Sequence, residues 1–268
     1  MKKILTGVLC LCLFIGQVWS ADEITIEGST TVLPIAQATA ERYMDMNKDS
    51  DISVRGGGSG VGIASLISGS CDVADASRAI KDKELDQAVS KGIDPVAHVV
   101  AMDGIAVIVH PSNSIKGLTK KQLKDIYTGK LSRWSELNIS EKSIVVVSRD
   151  SASGTFEAFN GLALDNQKVR ADALLEASNK AVAAVVATTP GAIGYVGLGY
   201  VTQSVKKITI DGIVCDKNTV LSGKYTLGRP LFMYTNGAPK GAVKDYLDYV
   251  LSEEGQKIVE EAGYIGIK

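Results

Sequence analysis

Histidine is almost missing: the 268 residues hold only His98 and His110. Neither stands at metal-ligand spacing. Zinc-assisted chemistry wants several His and carboxylate ligands around one ion, so no metal is expected. Surplus charge is missing too. The formal net charge is −1, which leaves no basic field for nucleic acid or an anionic membrane. The glycine run Gly56-Gly57-Gly58-Ser59-Gly60 lacks the Lys-Ser/Thr of a P-loop and the spacing of a dinucleotide fingerprint. No serine has an evident base beside it, as a nucleophile needs. Internal repeats and low-complexity tracts are lacking. These gaps argue against an enzyme and against a cofactor.

What is present starts with a distinct leader. Lys2 and Lys3 precede an apolar run from Ile4 to Ile15, and Val18, Trp19 and Ser20 lead to Ala21. This pattern reads as a secretory signal over residues 1–20. The run is short for a membrane span of about 20 residues. Cys10 and Cys12 lie inside it without a good lipoprotein cleavage pattern, so the mature form is expected to be soluble and exported. Only Cys71 and Cys215 lie beyond. One disulfide or two separate buried thiols both fit. The remaining length suits one large or two small domains.

Three segments then share one design. Ile24 and Ile26 alternate with polar residues, as in a strand. Gly28-Ser29-Thr30-Thr31 follows, and Val32 to Met44 carries a helical apolar stripe. Pro34 fits only the first turn of that helix, because it has no N–H. Ile52 and Val54 lead likewise through the glycine run into Val61–Ile67, with Gly69 where a helix would end. The apolar run 144–147 leads through Ser148-Arg149-Asp150-Ser151-Ala152-Ser153-Gly154-Thr155 into Phe156, Phe159 and Leu162. Strand, polar turn and helix in that order imply α/β architecture with open sheets. Ligands in such sheets sit beyond the carboxyl ends of the strands, where these turns lie. Helices are expected over 119–127 and 166–187, a strand over 193–201, and a helix or helix pair over 240–262.

A dehydrated oxyanion needs many donors and little opposing charge. Helix N-termini supply unpaired N–H groups and a positive dipole end. Ser and Thr hydroxyls add short donors, and an Arg fork makes charge-assisted bonds. The turns offer Ser29 and Thr30, then Ser59 and Gly60, then Arg149, Ser153, Gly154 and Thr155. The segment Asp72 to Arg78 adds Ser77 and Arg78. Taken singly, each is also what a plain helix cap or surface charge looks like.

Gly28-Ser29-Thr30-Thr31-Val32-Leu33-Pro34, the triple-glycine segment, Asp72 to Arg78, Arg149-x-x-x-Ser153-Gly154-Thr155 and Pro190-Gly191-Ala192-Ile193-Gly194-Tyr195 resemble, in order, the periplasmic phosphate-binding proteins of phosphate ABC importers. The resemblance implies a type II, two-lobed fold, with helices on both faces of open sheets and the ligand cleft between lobes. It implies a monomer that binds inorganic phosphate and delivers it to ABC transporter permease subunits in the inner membrane. Lobe 1 would take residues 22–106 and 194–268, and lobe 2 residues 107–193, with crossings near Asp103 and Gly194. Ser29, Thr30, Thr31, Ser59, Gly60, Ser77 and Arg78 would face the ion from the first lobe. Arg149, Ser153, Gly154 and Thr155 would face it from the second, with Arg149 the charged clamp.

One position departs from part of the family. Some members carry an aspartate after the Ser of the fourth segment, and it accepts the proton of hydrogen phosphate. A carboxylate acceptor there rejects sulfate, which has no such proton. Arg78 stands there in this chain. Asp75 lies on the same side as Ser77 if the segment is extended, which makes it the selectivity candidate, with Asp103 and Asp150 behind it. Sulfate, molybdate or tungstate would use the same donors. Asp150-Ser151-Ala152 also echoes the nucleophile segment of alkaline phosphatases, and a surface adhesin or sensor could keep the same fold.

Overall fold

The computed structural model describes residues 22–268, so the expected signal segment lies outside the described residues. The chain opens with β1 (Asp22–Gly28), α1 (Leu33–Met46), β2 (Ser50–Gly56), α2 (Ser59–Ser68), β3 (Val73–Ala76) and α3 (Asp82–Ser90). The long β4 (Pro95–Val109) follows, then β5 (Gly117–Leu118), α4 (Lys120–Tyr127), β6 (Val145–Arg149), α5 (Gly154–Leu164), β7 (Leu174–Glu176), α6 (Asn179–Thr188) and β8 (Ala192–Gly197). β9 (Lys206–Lys207), β10 (Thr209–Ile210), α7 (Lys217–Leu221), β11 (Gly228–Asn236), α8 (Gly241–Val250) and α9 (Glu253–Glu261) complete it.

The main sheet runs β2-β1-β3-β11-β4-β8-β6-β7. β1 pairs in parallel with β2 and β3, and β6 in parallel with β7 and β8. β4 belongs to both halves. Its residues up to Gly104 pair with β11, and Ile105–Val109 pair with β8. Each half has helices on both faces, as the sequence predicts. In the first half, Ile24, Ile26 and Leu231 pack under α1, α8 and α9. On the other face Ala74, Ala76 and Tyr234 pack under α2. In the second half, Val107, Val109 and Tyr195 pack with Tyr127 and Phe159, and Ile108 and Val147 with Val182 and Val186 of α6. The alternation of Ile108 with its neighbours across the sheet is the two-residue period of a strand. Chain beyond the second half also joins its core: Ile208, Ile210, Cys215, Val220, Tyr225 and Leu227 pack with Ile105 and Val107.

Local chemistry sets the ends of the elements. Pro34 sits in the first turn of α1, and Gly69 caps α2. Thr119 caps α4 by accepting the Gln122 N–H. One expectation is corrected: helix does not run over 166–187. Asp165 and Asn166 adopt positive φ and end α5, and a new helix starts only at Asn179, capped by Ser178. The strand expected over 193–201 stops at Gly197, and a 3-10 turn covers Leu198–Tyr200. The C-terminal helix is a pair, split where Ser252 accepts the Gly255 N–H. Cys71 and Cys215 are separate buried thiols in different cores, both pushed up to about 12 by burial.

Candidate oxyanion site

The four polar turns meet where the two sheet halves join. The α5 turn reaches across to the first half. The Gly60 N–H donates to the Ala152 carbonyl at 3.0 Å. Thr31 Oγ1 lies 2.7 Å from Thr155 Oγ1. A Cβ on Gly154 would come within 2.2 Å of Ser59 Oγ and 2.8 Å of Ser77 Oγ, so only glycine lets the head of α5 seat against those serines. Gly58, at φ +100°, likewise leaves room for the Ala152 carbonyl, which a Cβ would meet at 2.6 Å.

Within this knot several hydroxyls also act as caps. Ser29 Oγ accepts the Thr31 and Val32 N–H groups, and Ser153 Oγ accepts that of Phe156. Each keeps its own proton to donate. Ser59 Oγ accepts the Ser77 N–H at 3.0 Å and lies 3.3 Å from Ser77 Oγ. Ser29, Thr30, Thr31, Ser59, Ser77, Ser153 and Thr155 are all buried, so the hydroxyls of the knot are closed to solvent.

Arg149, at the end of β6, is 2% exposed. Its Nε donates to the Glu176 carbonyl and its Nη2 to the Ala177 carbonyl, both at 2.9 Å. Its Nη1 is buried with no partner, and no carboxylate pairs with it among the described residues. Burial pulls its affinity for the proton down, and Arg229 opposes its charge further. A guanidinium remains charged in such a site. A buried cation with an unused donor is costly unless an anion joins it.

Two sequence expectations change. Arg78 lies beside the knot, but two carboxylates occupy its guanidinium. Its Nη1 and Nη2 donate to the two oxygens of Glu84 at 2.7 Å each, and its Nε forms an ion pair with Glu157 at 2.5 Å. These two partners neutralise it in this structure. Asp75 is buried in β3, where no donor reaches its Oδ1. It makes no hydrogen bond to the site's hydroxyls. Its charge is felt by Tyr246 and Cys71 in the cores behind the sheet. Burial alone pushes its carboxyl well above the usual range. The extension needed to aim it with Ser77 does not last, because β3 ends at Ala76. Of the other acceptor candidates, Asp150 Oδ1 accepts the Ala152 N–H.

Sequence reasoning missed three residues and the use of a fourth. Arg229 on β11 is 5% exposed, and its Nε and Nη2 donate to Asp103 Oδ2 at 3.0 and 2.8 Å. Burial pushes the Asp103 carboxyl up, while Arg229 and the Leu198 N–H pull it back down. Asn179 donates to Thr30 Oγ1 and Thr31 Oγ1, and the Tyr200 hydroxyl to the Thr30 carbonyl. The available signal was a lone arginine between Gly228 and Pro230, the one charged residue of its strand.

Two α/β halves sharing one strand, with a buried cationic hydroxyl cluster where they join, define the class of two-lobed binding proteins. Comparison with known proteins places the chain further. A PBP superfamily domain matches residues 18–254. The phosphate-binding protein PstS of Bacillus subtilis is 36% identical over 257 residues, covering 94% of this chain and 83% of that protein. A substrate-binding protein from Clostridium perfringens, solved with bound phosphate, aligns with a TM-score of 0.85 at 33% identity, covering 92% of this chain and all of that one. An ABC-type phosphate transport receptor from Vibrio cholerae aligns at 0.74 and 30% identity, covering 90% and 99%. The chain belongs to the PBP superfamily and, within it, to the family of the PstS phosphate-binding proteins.

Proposed function

We propose that this protein binds inorganic phosphate between two lobes and delivers it to the permease subunits of an ABC importer, as an exported monomer without catalytic activity. One observation carries the reading. Arg149 is buried, has no carboxylate partner and leaves Nη1 unpaired. The turn that follows it leads to Ser153 and the N-terminus of α5, which seat against the hydroxyls of the other half, and such groups bind a dianion without a metal. Ser29, Thr30, Thr31, Ser59, Ser77, Arg149, Ser153, Gly154 and Thr155 are the proposed ligands. The names of the relatives point to the same ligand and the same kind of transporter.

The proposed lobes follow the sequence division with one change. Residues 194–227 go with 107–193, because Tyr195, Val196, Val205, Ile208 and Leu227 pack in the cores of that half. The crossings then fall at Asp103–Gly104 and at Gly228, which pair with each other's strands on β4 and β11. Closure about these crossings excludes water and brings both sets of donors onto one ion.

The test is calorimetric titration of unfolded and refolded mature protein with phosphate, sulfate and molybdate at neutral pH. Tight one-to-one phosphate binding, with sulfate much weaker, is expected. Preference for sulfate or molybdate would keep the fold and change the ligand. A folded protein that binds none of the three would overturn the reading.

A further inference from the structure

Resting on the phosphate reading, we propose that Arg229, held by Asp103, is a positioning residue. Together with Asn179 it occupies the acceptor side of the Thr31–Thr155 hydroxyl pair, so that the pair meets the bound anion as a donor. The argument is a count of protons and lone pairs. Asn179 Oδ1 accepts the Gly197 N–H at 3.1 Å, which fixes the amide so that Nδ2 is the end facing the threonines. Nδ2 then donates to Thr31 Oγ1 at 3.0 Å. Arg229 Nη2 is shared between Thr155 Oγ1 at 3.0 Å and Thr31 Oγ1 at 3.3 Å.

The two hydroxyls also bond each other at 2.7 Å. A hydroxyl has one proton and two lone pairs. Whichever threonine donates to the other, one proton of the pair is left over. No further acceptor for it exists among the described residues, and the lone pairs are largely filled by Arg229, Asn179 and the mutual bond. The remaining proton therefore belongs to the ligand. Arg229 itself has no slack. Its Nη1 donates to the Ser77 carbonyl at 3.0 Å and the Gly154 carbonyl at 3.4 Å, so it ties turns from both sheet halves. Asp103 is fixed in turn by the Leu198 N–H at 2.8 Å.

A donor-only corner accepts a bare phosphate oxygen and repels a protonated one, because two protons would face each other. The site thus favours the less protonated form of phosphate. Removing Arg229 returns lone pairs to the threonines, which can then accept a P–OH proton.

The experiment measures phosphate affinity from about pH 6 to pH 8.5, across the range where phosphate loses its second proton, for wild type, Arg229→Gln, Arg229→Lys and Asn179→Ala. Melting curves accompany each protein. Wild-type affinity should rise with pH. Arg229→Gln should bind about tenfold to a hundredfold more weakly at the upper end, the scale of a lost charged hydrogen bond, and its pH slope should flatten. Arg229→Lys should restore part of the slope. Asn179→Ala, which leaves the Arg229–Asp103 pair intact, should flatten the slope in part and decides the matter if Arg229→Gln does not fold. Folded variants that lose affinity but keep the wild-type slope would overturn the proposal and leave Arg229 a structural tie. Wild type that binds no phosphate at all would overturn both this proposal and the function it rests on.

Discussion

At the scale of single residues, the buried charges separate by what surrounds them. Arg149 has carbonyls on two nitrogens and nothing on the third, whereas Arg133 is exposed and its guanidinium meets only Glu141, through the carbonyl and an exposed ion pair. Arg149→Ala should weaken phosphate binding by about 100-fold or more, as expected for removing one member of a buried charge pair. Arg133→Ala should change it less than about twofold. Equal small effects in titration would take Arg149 out of the site. Asp75 gives a prediction of a different kind. Folding raises its pKa, so the native state prefers the acid form. Its contribution to stability is then full below the unfolded value of about 3.9 and is lost as pH rises toward the native value. The melting temperature of Asp75→Asn minus that of wild type should grow from about pH 5 to pH 8. A flat difference would mean that Asp75 is not titrating as a buried acid. The phosphate-over-sulfate ratio should stay unchanged in this variant, since Asp75 touches none of the site's hydroxyls.

At the scale of elements, the placement of α5 decides how the turns meet. Phe159 of α5 stacks on Tyr195 of β8 at 3.9 Å between ring centres, and Tyr195 bonds Ser148. Phe159→Ala should cost about 3 kcal/mol of stability or more in denaturant melts and loosen the head of the helix. Gly154→Ala, at the other end of the contact, should abolish tight binding while altering the far-UV spectrum little, because its Cβ meets Ser59 Oγ. Binding close to wild type in that variant would mean the turns can separate without loss. The strand–turn–helix units were legible because periodicity, glycine and caps agree there: β1–α1, β2–α2 and β6–α5 lie where the apolar pattern puts them. Hydroxyl turns such as Ser153-Gly154-Thr155 carry their chemistry in the local sequence. Arg229, Asn179 and Tyr200 do not. Each reaches the site only through pairings distant in sequence, as when β11 brings Arg229 against Asp103. Arg78 shows the same limit: of its two carboxylate partners, Glu84 lies six residues on, but Glu157 comes from another segment.

At the scale of the whole molecule, Glu157 of α5 faces Arg78 and Lys81, which follow β3 in the other sheet half. It therefore joins the two proposed lobes at a point away from the hydroxyls. Glu157→Gln should weaken this closed arrangement. Small-angle scattering of ligand-free protein should give a larger radius of gyration than wild type, and phosphate should leave faster. Apparent affinity should fall only severalfold, by the reduced fraction of the competent form. Identical scattering and release would make the ion pairs incidental to closure. The strand order has a consequence in time rather than in space. β11 lies between β3 and β4 in the sheet, yet synthesis delivers it long after both. A nascent chain that already holds β1 to β4 still has a gap where its central strand belongs. Such long-range pairing is slow to complete. Until Gly228–Asn236 arrives, the first half remains an unfinished sheet, a delay that would suit the proposed export of the chain before it folds.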